Sequence, residues 1–216
     1  MRLDRLLEDQ RIVAERVRVA THEGNIATVA GADVARHREQ LFSCIAVFSF
    51  PGLDLLCDSY ARLRAAMPYV PGFLSYRELP VLVRAYKKLK QKPDVMLIDG
   101  QGIAHPRGLG LASHLGAVLG VPTIGCAKSH LYGKYTLPRT KRGAYTVMKS
   151  GRQSIGIVVR TRDNVKPLFV SPGHLVDIRD CLRIVLRVTK RYRLPEPIRY
   201  AHRMAGVSAR HRQGNS

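Results

Sequence analysis

The chain contains no tryptophan, and only 14 of its residues are Tyr or Phe. Acidic side chains are scarce, 16 against 36 Lys and Arg in 216 residues, for a formal net charge of +20. No apolar run approaches the roughly 20 residues that a membrane-spanning helix needs. The longest, Leu115–Ala127, is interrupted by three glycines, a proline and a threonine. The N-terminal twenty residues carry charges throughout and lack the apolar core of a signal peptide. These absences predict a cytoplasmic chain with no membrane partner. Four cysteines, none in a C-x-x-C pair, exclude a disulfide framework and a structural zinc site. No internal repeat is present, and none of the eight histidines has zinc-motif spacing. With 45% apolar residues, the chain is an ordinary globular protein rather than a disordered one.

The positive charge is concentrated. Residues 1–40 are neutral overall, whereas residues 128–216 carry 20 basic side chains against four acidic ones. Such a skew is the footprint of a polyanion binder, with nucleic acid the favoured partner.

Periodicity divides the chain into one domain over 1–207 and a polar, basic tail over 208–216, read as disordered. Residues 3–19 have helical spacing. Val, Ile and Phe runs at 26–35, 41–50 and 53–60 predict three strands in a meander. A two-proline loop, Pro68–Gly72, precedes a helix from Ser75 to about Gln91, with Ser75 as its N-cap. A strand at Val95–Asp99, a helix at 109–119 and a strand at 123–127 follow. A hairpin around Ser150-Gly151, a short strand at 168–171, and helices at 174–190 and 196–205 complete the order. The short links predict antiparallel pairing early, and the helical crossovers predict parallel pairing later. The expected fold is α/β, a mixed sheet with helices on both faces.

Against the general scarcity of acid, three carboxylates stand out. Asp33 lies within an apolar strand, where an unpaired charge is costly; facing solvent is the alternative. Asp99 ends a buried strand, where open α/β sheets place their ligands; a turn-forming Asp-Gly is the alternative. Glu78 could complete a capping box from Ser75 or be aimed at the strand ends. Together the three could hold Mg²⁺, a hard cation preferring oxygen ligands, with Mn²⁺ as a substitute. Paired ions of this kind hydrolyse phosphodiesters. His105 and His174 sit in loops preceding helices, where function concentrates. Gly108-Leu109-Gly110 resembles a dinucleotide fingerprint only faintly, since Ser113 replaces its third glycine.

With these residues in place, the chain resembles the endonuclease V family over nearly its whole length. The resemblance is carried by Ala30–Val34, Pro68–Glu78, Asp99–Arg107, Gly110–His114, Gly125–Lys128, Val170–His174 and Arg193–Pro197. It implies a ribonuclease H-like fold with strand order 3-2-1-4-5. It also implies a Mg²⁺-dependent DNA repair endonuclease that nicks the second phosphodiester bond 3′ to deoxyinosine; the sequence itself suggests a monomer. By position, Asp33, Asp99 and Glu78 would be metal ligands, His174 would lie beside them, and Lys128 would approach a phosphate. Tyr69, in a loop stiffened by Pro71 and Gly72, would be a wedge filling the gap left by an extruded base. That base would occupy a pocket near Gly100, Gln101, Gly102 and His105. The family commonly has His or Asn at Gln101 and an aromatic residue near Arg36. An inosine-specific endoribonuclease of the same fold and a non-catalytic nucleic-acid binder remain the alternatives.

Overall fold

The computed structural model describes residues 3–210. Its elements are α1 (Leu3–Ala14), β1 (Thr28–His37), β2 (Gln40–Ser49), β3 (Leu55–Arg64), α2 (Leu74–Lys88), β4 (Val95–Ile98), α3 (Leu111–Leu119) and β5 (Thr123–Ala127). They continue with β6 (Tyr145–Ser150), β7 (Gln153–Val159), β8 (Leu168–His174), α4 (Ile178–Val188) and α5 (Glu196–Arg210). All eight strands form one sheet in the order β3-β2-β1-β4-β5-β8-β7-β6. β1, β2 and β3 are antiparallel, while β4 lies parallel to both β1 and β5. The expected 3-2-1-4-5 order is therefore present, extended by an antiparallel half that the hairpin joins through β8.

Alternation along the strands sends side chains to two cores. Val29, Leu97, Ile124, Ile157 and Val170 face α4 and α5, meeting Ile184, Val185, Ile198 and Ala201. Ala32, Ile45, Met96 and Ile98 face α2 and α3, meeting Val81, Leu82, Leu111 and Leu115. The parallel strands β4 and β5 are buried on both sides, which explains why neither carries a charged residue. The four cysteines are unpaired; three are buried and Cys57 is half-buried. Among the described residues, no helix is long and apolar enough to cross a membrane.

Several local expectations need correction. The N-terminal helix stops at Ala14 rather than continuing to residue 19. The strap that follows is bound to β8 and α4 instead: Arg18 N–H donates to His174 Nδ1, and His22 N–H donates to Asp180 Oδ2. α2 starts from Phe73, so Ser75 is not its N-cap and no capping box with Glu78 forms. Ser75 is buried in the first turn, with its Oγ 3.0 Å from His114 Nδ1. β8 runs to His174, and α4 begins at Ile178 with a capping box between Asp177 and Asp180. α5 continues to Arg210 with Ala209 buried, so Ser208–Arg210 belong to the fold. The remainder of the expected tail, 211–216, lies outside the described residues.

The buried histidines make acid stability testable. Burial pushes His114 down to about 4, opposed weakly by Asp9. An imidazole with a depressed pKa contributes stability above its unfolded pKa of about 6.5, and that stability is lost as pH falls towards 4. The expected loss is on the order of 2 kcal/mol. Urea unfolding of wild type and His114→Gln at pH 7 and pH 5 isolates it: the wild type should lose more stability on acidification than the variant.

Candidate active site

The carboxyl ends of the parallel strands converge on one rim of the sheet. Asp33, in β1, lies one residue beyond the ladder pair Ala32↔Ile98, and Asp99 follows Ile98 directly. The Asp99 amide donates to the Ala32 carbonyl at 3.1 Å, which fixes the two carboxylates side by side. Parity places both on the face covered by α5. From that helix His202 reaches back, its Nδ1 2.7 Å from Asp33 Oδ2. One ligand atom from each of Asp33, Asp99 and His202 lies within 4.8 Å of the others. Both aspartate side chains are mostly buried, at 11% and 14% exposure. Lys128, following β5, pairs with Asp99 at 2.5 Å.

Glu78 projects from α2 into the same field. Burial, then the charges of Asp33 and Asp99, push its carboxyl up to about 8, with Arg77 pulling the other way. Asp33 is raised by burial and by Asp99, against the hydrogen bond from His202. Carboxylates held this close in a poorly solvated rim repel one another, and a divalent cation between them would remove that repulsion. The donor set thus fits a metal: two carboxylates and an imidazole within reach of one ion, with a third carboxyl alongside.

The histidine beside the carboxylates is His202, which the sequence does not single out, and not His174, which the resemblance implied. β5 and β8 are antiparallel, with Ala127 opposite Phe169 and Thr123 opposite His174. His174 therefore lies at the opposite end of β5 from Lys128 and Asp99. Its role there is to hold the strap through Arg18. His202 carries no motif. Its pairing with Asp33 depends on how α5 crosses β1, a contact between residues 169 positions apart.

Beside the carboxylates opens a cavity of about 390 Å³, lined by Tyr69, Gly72, Leu74, Gly100, His105 and Leu131 among others, with Asp99 and Lys128 on its wall. Tyr69 stands over it at 59% exposure. Its loop is braced from below. The Gly72 carbonyl accepts from Gln10 Nε2 at 3.0 Å and from Arg107 at 2.8 Å. The Arg107 guanidinium also packs 4.7 Å from the centre of the Phe73 ring. Gly72 adopts φ +79°, a left-handed conformation suited to glycine, and Pro71 precedes it in the exposed turn. His105 is buried, and burial together with Arg107 pushes it down to about 4, so it is neutral. Its Nδ1 accepts from the Arg107 amide, which places the ring proton on Nε2.

Gly100 and Gln101 border the cavity, and Gln101 Nε2 donates to the Ser129 carbonyl at 3.1 Å. Gln101 Oε1 is buried with no hydrogen-bond partner among the described residues. Gly102 is turned away. Its amide donates to Ser171 Oγ at 2.8 Å, and a Cβ there would meet the Pro172 carbonyl oxygen at 2.0 Å. Gly102 therefore allows two backbones to approach and does not line the cavity.

Residues 11–203 match the family model for endonuclease V. A relative called endonuclease V from Geotalea uraniireducens (strain Rf4) is 45% identical over 203 residues, covering 94% of this chain and 87% of the relative. The crystal structure of endonuclease V from Bacillus subtilis superimposes with a TM-score of 0.94 at 33% identity, covering 100% of this chain and 96% of that one. A Ciona intestinalis endonuclease V, in complex with a 23mer DNA containing an inosine followed by a ribo-adenosine, shares the fold with a TM-score of 0.84. That match is at 24% identity and covers 98% of this chain and 99% of that one.

Proposed function

The chain belongs to the endonuclease V family and is an endonuclease, and from that premise we propose that it nicks deaminated DNA at the second phosphodiester bond 3′ to deoxyinosine. The observation that carries this reading is the shared wall. Asp99 belongs both to the carboxylate cluster and to the cavity beneath Tyr69. A base held in the cavity would leave its 3′ backbone over the cluster.

Asp33, Asp99 and His202 would hold the divalent cation, Mg²⁺ with Mn²⁺ as substitute, and Glu78, outside that group of three, would be the further acidic ligand the resemblance implied. That ion would supply water activation and charge neutralisation in phosphodiester hydrolysis. Glu78 is poised near neutrality to hold or release a proton at the same rim. Lys128 presents its ammonium to a phosphate from its place beside Asp99. Tyr69 would fill the gap left by the extruded base, on a loop that Gln10 and Arg107 keep rigid. The cavity would take the base, with the neutral His105 ring and the Gln101 amide as polar partners. The protein would act as a monomer, one domain, in the cytoplasm.

Tyr69→Ala tests the recognition half. Cleavage of inosine DNA should fall about 10-fold or more, in line with the cost of losing one stacked ring. Cleavage of undamaged DNA should not change. Equal discrimination by variant and wild type would remove the wedge. Competition between matched inosine DNA and inosine RNA settles the substrate: faster cutting of RNA would assign the endoribonuclease branch instead.

A further inference from the structure

A second concavity, of about 720 Å³, lies along the edge of β6, and the site described above does not use it. Tyr132–Thr136 form one wall, and Val147, Lys149, Ser150 and Gly151 the other. Lys134 and Lys149 exchange both backbone hydrogen bonds, at 2.7 and 2.9 Å. This makes them directly opposed neighbours in an antiparallel bridge. Like charges in that position destabilise a sheet. Their own stretch of chain supplies no acid: the sequence has no Asp or Glu between Asp99 and Asp163, but ten Lys and Arg. Neither lysine side chain is in an ion pair among the described residues, and both are exposed. A pair of cations held side by side at the backbone, in a groove that Tyr132, Tyr135 and Val147 also line, suits an anion with a flat apolar part.

The Tyr132–Thr136 wall carries two aromatic rings. Tyr135 packs against His130 and Phe169, with ring centres 5.0 and 5.3 Å apart, and Tyr132 is fixed by a 2.9 Å hydrogen bond to Ser150. Along the chain the groove follows directly on the base-sized cavity. Ser129, His130 and Leu131 line the cavity, and the same segment runs on as Tyr132–Thr136 into the groove. The carboxylates lie across the other wall, at Asp99.

We propose that this groove binds the single strand on the 5′ side of the extruded base, with Lys134 and Lys149 on its phosphates and the Tyr132–Tyr135 wall against its bases. The assignment of side rests on the functional reading above, in which the 3′ backbone crosses the carboxylates.

Fluorescence anisotropy with inosine oligonucleotides of one constant 3′ flank, and a 5′ flank of about two or about eight nucleotides, tests it. A single-strand site spans roughly 4–16 nucleotides, so only the longer flank fills the groove. The wild type should bind the longer oligonucleotide about 10-fold more tightly. Lys134→Ala/Lys149→Ala should abolish that gain, and its salt slope should fall by about 1.4, at about 0.7 for each phosphate no longer neutralised. A charge-matched control on the far edge, Arg62→Ala/Arg64→Ala, should keep the gain. Retention of the gain in the lysine variant would overturn the proposal. So would an equal weakening on both oligonucleotides, or a gain that follows the 3′ flank. Failure of the functional reading looks different: wild type would bind inosine and adenine oligonucleotides alike.

Discussion

Replacing Asp33 or Asp99 by Asn is expected to lower cleavage by about 10³-fold or more, since each substitution removes a ligand and a charge from the centre on which hydrolysis depends. Neither should weaken the fold. The wild-type carboxylates are held together at a cost: burial and mutual repulsion raise Asp33, and the same two causes push Glu78 up to about 8. A carboxyl whose folded pKa is raised disfavours the folded state once ionised. In the metal-free protein that group's contribution is largest below about 4.5 and is lost as pH rises through about 8. Mg²⁺ should reverse this by binding only the folded, ionised cluster. Thermal unfolding at pH 8 is thus expected to shift upward with Mg²⁺ in wild type. Asp33→Asn should start from an equal or higher midpoint and respond little. An Asn variant that cuts at the wild-type rate, or gains as much from Mg²⁺, would remove the metal assignment.

Gly31→Ala should damage both stability and rate from a position that touches no substrate. A Cβ at Gly31 would lie 2.0 Å from the Pro197 carbonyl carbon and 2.5 Å from the Ile198 nitrogen, all backbone atoms at the start of α5. Neither side can yield by rotating a side chain, so the helix must move. Overpacking of this severity costs about 3 kcal/mol. The same helix carries His202 onto Asp33, two residues beyond Gly31 on β1. A displacement of about 1 Å there would cost about 100-fold in rate. Cleavage measured at a temperature where circular dichroism shows the variant folded separates the two effects. Unchanged stability would mean that α5 is not seated as described. Reduced stability with full activity would mean that His202 does not belong to the centre.

The sequence is most informative where chemistry contradicts its surroundings. Asp33 and Asp99 are visible because a carboxylate is costly inside an apolar strand, and Glu78 because acid is rare in this chain. The meander and the parallel core can be read from Val-rich runs and from the lengths of their connections. What escapes depends on non-local packing. His202 sits on an amphipathic helix among arginines, and only the crossing of α5 over β1 gives it meaning. His174 is read from sequence as a loop residue because Pro172 suggests that the strand ends at Ser171, whereas β8 runs to His174. In fact β8 pairs with β7 only through Val170, so a proline beyond that point removes no ladder bond on that side. Ser75 looks like a cap, but after the Pro71-Gly72 turn the helix is capped two residues earlier, at Phe73, and the Ser75 hydroxyl is buried against His114.

The most direct test of the account is cleavage of an end-labelled DNA oligonucleotide carrying one inosine, with Mg²⁺ and with EDTA, and the product mapped to the nucleotide. The expected result is one nick, at the second phosphodiester bond 3′ to the inosine, formed with Mg²⁺ and not with EDTA. Tight, salt-sensitive binding without a nick, or a nick that persists in EDTA, would contradict it.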